Sequence, residues 1–247
     1  MLRFQFSDAR TWRYMIASME KVLDEGVFVA KSDGLYFRAL DPARVVMIDL
    51  YYPADAFTIF EVEGEEFSFG VSFETLAKIL RRARKDDQLR LEVDQTWVNV
   101  IFTGRGERRF RFPQISLSVE VPGEPRVTFT VEAKLLATSF REAIRTLEPV
   151  ADMLTLTALD EDKLLMRGQG DLESAELEFS LERQSLLDYQ VDSPDQSTYS
   201  LEHFSQMLQA AQAAETAVVK FGADIPARVD FEYPGGGRLT FYVSPAI

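Results

Sequence analysis

Residues Pro113 to Arg126 read PQISLSVEVPGEPR, and the interpretation of this stretch decides how the rest of the chain is divided. Ile115, Leu117, Val119 and Val121 alternate with polar residues, the period of an extended segment with one apolar edge. Pro122, Gly123 and Pro125 then remove ladder donors and end any regular element. A solvated linker has no use for four alternating aliphatics. The stretch is therefore read as an extended connector, 113–126, between two units, 1–112 and 127–247.

Upstream of it, Leu2 to Phe6 alternates apolar and polar residues and reads as a strand. Ser7 is expected to cap a helix from Asp8 to about Asp24, with Trp12, Met15, Ile16, Met19 and Leu23 inward and Arg10, Arg13, Ala17 and Lys21 opposite; Gly26 is expected to end it. Strands follow at Val27 to Lys31, Leu35 to Leu40 and Val45 to Tyr51, the first two joined by a turn in which the pair Asp33-Gly34 takes positive φ. Two more are expected at Phe57 to Val62 and Glu66 to Val71. Ser72 caps a second helix with Phe73, Leu76, Ile79, Leu80 and Ala83 inward and Lys78, Arg81, Arg82 and Lys85 outward. Leu89 to Val93, Trp97 to Thr103 and Arg108 to Phe112 complete the unit as antiparallel strands.

Downstream the order recurs. A strand is expected at Val127 to Thr130 and a helix from about Glu132 to Leu147, with Leu136, Phe140, Ala143, Ile144 and Leu147 inward and Lys134, Thr138, Arg141 and Arg145 outward. Strands follow at Met153 to Ala158, Lys163 to Gly168 and Ser174 to Leu181. Ser200 starts a fourth helix with Leu201, Phe204, Met207, Leu208 and Ala211 inward, and three strands close the chain. The caps Ser72 and Ser200 lie 128 residues apart, about half of the 247-residue chain, so one unit is present twice. The fold class is α+β, with many short antiparallel strands and two helices per unit.

Composition narrows the function. No run of eighteen apolar residues and no basic, apolar leader is visible, so a soluble, intracellular protein away from membranes is expected, cytoplasmic, or nuclear in a eukaryotic cell. Cys is absent, which excludes disulfides and thiolate zinc sites, and the single Asn, Asn99, suits a heat-adapted source. The net charge of -13 argues at first against nucleic acid. Its distribution does not: residues 1–123 hold 17 Lys and Arg against 19 Asp and Glu, net -2, and residues 124–247 hold 10 against 21, net -11. Any basic surface belongs mostly to the first unit.

An enzyme needs a site, and none is expected. His203 is the only imidazole, and no nucleophile accompanies it at a useful spacing. Asp160, Glu161 and Asp162 read as a solvated hairpin turn rather than a metal site, and GRGER and YPGGGR lack the Lys-Ser/Thr and helix of a phosphate-binding loop. Neither a cofactor nor a metal is called for.

Three segments carry a family resemblance. LDPARVVMIDLYYPADAF (40–57), GVSFETLAKILRRA (70–83) and the closing run from Phe221, with GADIPARVDF and LTFYVSPAI, resemble proliferating cell nuclear antigen, the sliding clamp of archaeal and eukaryotic replication. The resemblance spans the whole chain. It implies a trimeric ring of two-domain subunits, helices inside and antiparallel sheets outside, that encircles duplex DNA without reading its sequence; a scaffold of the same fold that never touches DNA is the alternative. It puts Arg13, Lys78, Arg81 and Arg145 on DNA-facing positions, with Arg82, Lys134 and Arg141 as neighbours. Glu20, Glu202 and Gln209 stand where relatives have basic residues, so the second unit is expected to hold DNA more weakly. The resemblance also implies a pocket for a partner peptide bearing a Gln, an aliphatic residue and two aromatics. Leu40, Val45, Met47, Val119, Val121, Pro226, Tyr242, Pro245 and Ile247 would line it, and DNA polymerase, flap endonuclease, DNA ligase and clamp loader would use it. Subunits, identical or paralogous, would meet through Arg109, Phe110 and Arg111 on one edge and Glu176, Leu177 and Glu178 on the other.

Overall fold

The chain runs twice through one order of elements: strand, helix, five strands, helix, three strands. In the first pass these are β1 (Leu2–Phe6), α1 (Ala9–Met19), β2 (Glu25–Lys31), β3 (Gly34–Leu40), β4 (Val46–Pro53), β5 (Ile59–Val62), β6 (Glu66–Ser72), α2 (Phe73–Leu80), β7 (Gln88–Val93), β8 (Trp97–Thr103) and β9 (Glu107–Pro113). In the second they are β10 (Val131–Leu136), α3 (Ala137–Leu147), β11 (Met153–Ala158), β12 (Lys163–Gln169), β13 (Ser174–Ser180), β14 (Asp188–Val191), β15 (Asp195–Ser200), α4 (Leu201–Gln206), β16 (Thr216–Phe221), β17 (Ala227–Glu232) and β18 (Arg238–Val243). A 3₁₀ segment, Met207–Gln212, extends α4. The computed structural model of the chain describes residues 1–117 and 121–246. Among them no helix is long and apolar enough to cross a membrane.

Among the described residues all strand pairs are antiparallel and form three sheets: β5-β1-β7-β8-β9, then β14-β10-β16-β17-β18-β4-β3-β2-β6, then β13-β12-β11-β15. The nine-stranded sheet is shared by both passes, because β18 pairs with β4 so that Thr240 faces Asp49 and Tyr242 faces Met47. The helices form one layer: α1 packs on α2 and on the 3₁₀ segment, which α3 and α4 also contact. Trp12 in the first pass packs among Phe4, Phe6, Tyr52 and Phe57, and Phe140 in the second between Phe204 and Phe231. Buried Ser18 on α1 joins the passes by accepting the Ala210 N–H at 2.7 Å.

Several local expectations are corrected. Asp8, not Ser7, caps α1, accepting the Arg10 N–H at 2.9 Å. Gly26 lies within β2 rather than ending the helix, and an added Cβ would run into the Phe37 ring. Gly34 is not at positive φ; it is required because a Cβ would sit 2.5 Å from the Tyr52 carbonyl oxygen on the neighbouring strand. Residues 127–130 are not a strand, and 131–136, expected as the first part of a helix, are β10. Val131, Ala133 and Leu135 are buried between β14 and β16, so the period of two wins. α3 starts after Leu136 with no side-chain cap, which leaves no start signal to read. Leu136, expected inward, is 49% exposed. β14 and β15 were not anticipated.

Candidate functional site

Because the four helices share one layer, their solvent-facing residues share one surface. Apolar positions at helical spacing bury Trp12, Met15, Ile16 and Met19 on α1, Phe73, Leu76 and Leu80 on α2, and Phe140, Ala143, Ile144 and Leu147 on α3. Arg13 is left half-buried on the opposite side of α1, Lys78 exposed on α2, and on α3 Arg141 is half-buried and Arg145 exposed; Arg81 and Arg82 follow directly after α2. Ser72 fixes the start of α2 by accepting the Thr75 N–H at 3.3 Å.

The cations on this surface differ in how free they are. Arg81 lies 3.0 Å from Glu20 on α1, so part of its charge is used inside the chain. Among the described residues Arg13, Lys78, Arg82, Arg141 and Arg145 have no carboxylate within 4.0 Å. Lys134 does not belong to this surface: it is on β10, with its Nζ 2.6 Å from Glu232. Burial pushes the Glu232 carboxyl up, but its bonds from Lys134 and Thr216 outweigh that and leave it below the usual range. The fourth helix offers exposed Glu202 and half-buried His203 and Gln209, the imidazole Nδ1 lying 3.5 Å from Gln206. Sequence reasoning passed over Arg84 and Arg105, which with Lys85 and Arg108 line a cleft of about 910 Å3 at the end of α2. The run RRARK at 81–85 was its visible signal.

The connector begins as a short addition to the nine-stranded sheet. The Ile115 N–H donates to the Gly70 oxygen at 3.0 Å, and Gly70 has to be glycine because a Cβ would collide with the Ile115 oxygen. Further on, Glu124 lies 3.9 Å from Arg38, so this segment passes over the outer face of the sheet. There Leu40, Met47, Tyr242 and Arg228 are consecutive partners in one row across four strands. Met47 and Tyr242 are buried, while Leu40, Val45, Pro226 and Pro245 are half-buried around them. A cleft of about 790 Å3 opens between Leu40, Pro42 and Arg44 on one side and Val121, Pro122 and Gly123 on the other. Its remaining wall, Leu23 to Val27, is a stretch that sequence reasoning did not assign to it. Val119 and Ile247 lie outside the described residues.

Two sheet edges match the alternation expected of them. On β9, Phe112 is buried and Phe110 packs against the core, with Arg109 and Arg111 exposed. On β13, Phe179 is buried, Leu177 is half-buried and Glu176 is exposed. Each strand pairs on one side only among the described residues. Arg111 lies over the Trp97 ring at 4.0 Å, Arg109 lies 2.6 Å from Glu107, and Glu178 meets Lys163 at 3.1 Å and Arg183 at 3.7 Å. Among the described residues Glu176 has no such partner.

Residues 1–121 match the family model described as proliferating cell nuclear antigen, N-terminal domain. The chain is 56% identical over 245 residues to DNA polymerase sliding clamp 3 of Aeropyrum pernix, an alignment covering 99% of this chain and 98% of that one. It is 33% identical to the DNA polymerase sliding clamp of Thermofilum pendens, with 99% of each covered. Among solved structures it is similar to a chain of the PCNA2-PCNA3 complex from Sulfolobus tokodaii (TM-score 0.92, 31% identity, 98% of each chain). It also resembles PCNA from Thermococcus kodakaraensis (TM-score 0.93, 27% identity, 100% of each chain).

Proposed function

The chain belongs to the proliferating cell nuclear antigen family and is a DNA sliding clamp, and we propose that three such subunits close head to tail into a ring around duplex DNA. The observation that carries this reading is the seam inside the chain. β18 and β4 pair there, and in the repeat β9 corresponds to β18 and β13 to β4: Phe110 and Phe112 match Phe241 and Val243, and Leu177 and Phe179 match Leu50 and Tyr52. β9 and β13, two of the edge strands among the described residues, are thus the repeats of two strands that have each other. Pairing β9 of one subunit with β13 of the next covers both edges, and a heterologous contact with the right rotation closes. Carrying over the register in which Thr240 faces Asp49 puts Arg109 opposite Glu176 of the next subunit.

In such a ring the helical layer lines the channel. Lys78, Arg82, Arg141, Arg145 and Arg13 supply exchangeable phosphate contacts, and the absence of base readout is what allows sliding. Glu202 and Gln209 make the second unit the weaker contact. The outer row of Leu40, Met47 and Tyr242, with Val45, Pro226 and Pro245, takes the aromatic anchors of partner tails from DNA polymerase, flap endonuclease, DNA ligase and clamp loader. At the seam between subunits the equivalents of Leu40, Met47 and Tyr242 are Gln169, Ser174 and Arg111, which would form no apolar pocket, so each subunit carries one such site.

The test of the pocket is Val45→Asp or Tyr242→Ala in the assembled protein, titrated with a labelled partner tail peptide. Binding in the micromolar range is expected for the unaltered chain and none for Val45→Asp. Undiminished binding by a folded Val45→Asp ring would show that partners dock elsewhere.

A further inference from the structure

The loop between β3 and β4, Asp41 to Val45, is held together by one side chain. Asp41 Oδ1 accepts the N–H groups of Val45 and Val46, both at 2.7 Å, and Oδ2 accepts that of Ala43 at 3.1 Å. The Asp41 backbone closes the same ring: its N–H donates to the Val46 oxygen and its oxygen accepts from Arg44 N–H, each at 2.9 Å. Pro42, Ala43 and Arg44 are exposed, so no packing holds this turn in shape. Arg44 is moreover in the left-handed region, φ 59°, which a residue with a Cβ adopts only when something fixes it. The Val45 oxygen in turn accepts the Ser244 N–H at 2.9 Å, tying the loop to the segment after β18.

The loop is also the rim of the partner pocket. Leu40 precedes it, Val45 ends it, and Pro42 and Arg44 line the adjoining cleft. We propose that Asp41 is a positioning residue for partner binding: its carboxylate presets the turn that presents Val45 beside Met47 and Tyr242, so that an incoming tail does not have to order it. The inference rests on the pocket reading above. It assigns a task to Asp41 in the segment LDPARVV, whose side chain faces its own backbone and not the partner.

The assembled, full-length protein is titrated by fluorescence anisotropy with a labelled peptide carrying a Gln, an aliphatic residue and two aromatics, and its assembly is followed by sedimentation. Asp41→Ala is expected to weaken the peptide about ten-fold with the assembly unchanged, since the loop must then be ordered on binding. Asp41→Asn keeps an acceptor for Val45 and Val46 and is expected to fall between. Amide exchange at Ala43 and Val45 should quicken in the order Asp, Asn, Ala; a purely stabilising residue would lower the melting temperature and leave affinity and this order untouched. Wild-type affinity in Asp41→Ala, with Val45→Asp abolishing binding, overturns the role of Asp41 alone. Wild-type affinity in Val45→Asp overturns the pocket reading and this inference together. If Asp41→Ala does not assemble, Asp41→Asn decides by the same comparison.

Discussion

Reversing the charge of Glu176 gives the sharpest test of how subunits meet. Within the chain Glu178 already has Lys163 and Arg183, whereas among the described residues Glu176 has no cation within 4.0 Å, so Glu176 is the carboxylate left for a neighbour. The register carried over from the β18 and β4 pair sets Arg109 of that neighbour opposite it, and Arg167 is its partner residue on β12. An exposed pair of this kind contributes about 0.2–1 kcal/mol. Glu176→Lys replaces attraction by repulsion toward the neighbour's Arg109, so each seam should lose about 1–2 kcal/mol. That corresponds to roughly ten-fold in the seam's association constant. The loss should shrink in concentrated salt, where the screening length falls from about 10 Å at 0.1 M to about 3 Å at 1 M. Sedimentation at the two salt concentrations would read it, and combining Glu176→Lys with Arg109→Glu should restore assembly. An oligomer indifferent to Glu176→Lys at both, or more sensitive to Glu178→Lys, would refute the register.

Lys78→Ala with Arg82→Ala should flatten the salt dependence of DNA binding by about one unit of slope per lost phosphate contact, read by anisotropy across a salt series, whereas changes at Glu202 and Gln209 should do little. Arg81→Ala should cost less than Lys78→Ala because Glu20 holds Arg81, and Glu20→Gln should strengthen binding. Burial pushes the Tyr199 phenol up to about 12 and raises those of Tyr52 and Tyr233 as well. Their neutral forms stabilise the fold fully below the unfolded value of about 10, and that stability is lost as pH rises through about 12, so melting temperature should drop between pH 9 and 12 and drop less in Tyr199→Phe. Gly34→Ala should destabilise by about 1–3 kcal/mol in thermal melts, because its Cβ meets backbone rather than a movable side chain.

Where a segment's own period matched its surroundings, the sequence was legible: β1, β8 and β11 have the bounds their alternation predicts, and Ser72 caps α2 as its position suggests. The misreadings have tertiary causes. VEAKLL before α3 fits a helical stripe as well as a strand, and only its two neighbours in the sheet decide, which moves Lys134 from the helical surface to an ion pair with Glu232. DYQV and DQSTYS in β14 and β15 are mostly polar and sit at sheet edges, so burial left no pattern to detect. Gly26 and Gly34 look like turn residues locally, yet both are small because of a Phe ring and a carbonyl from other strands. In the candidate site, the joining of Leu40, Met47 and Tyr242 was suggested by resemblance, and its cause is strand register. The pairing of Arg81 with Glu20, on different helices, leaves no mark in the sequence.

The central claim is that this protein holds DNA by encircling it, and retention on a closed contour tests that most directly. The assembled protein is loaded on a nicked circular plasmid, washed in salt that removes surface-bound protein, and the plasmid is then cut once. The account predicts retention on the circle and loss from the ends after cutting; equal retention before and after the cut would contradict it.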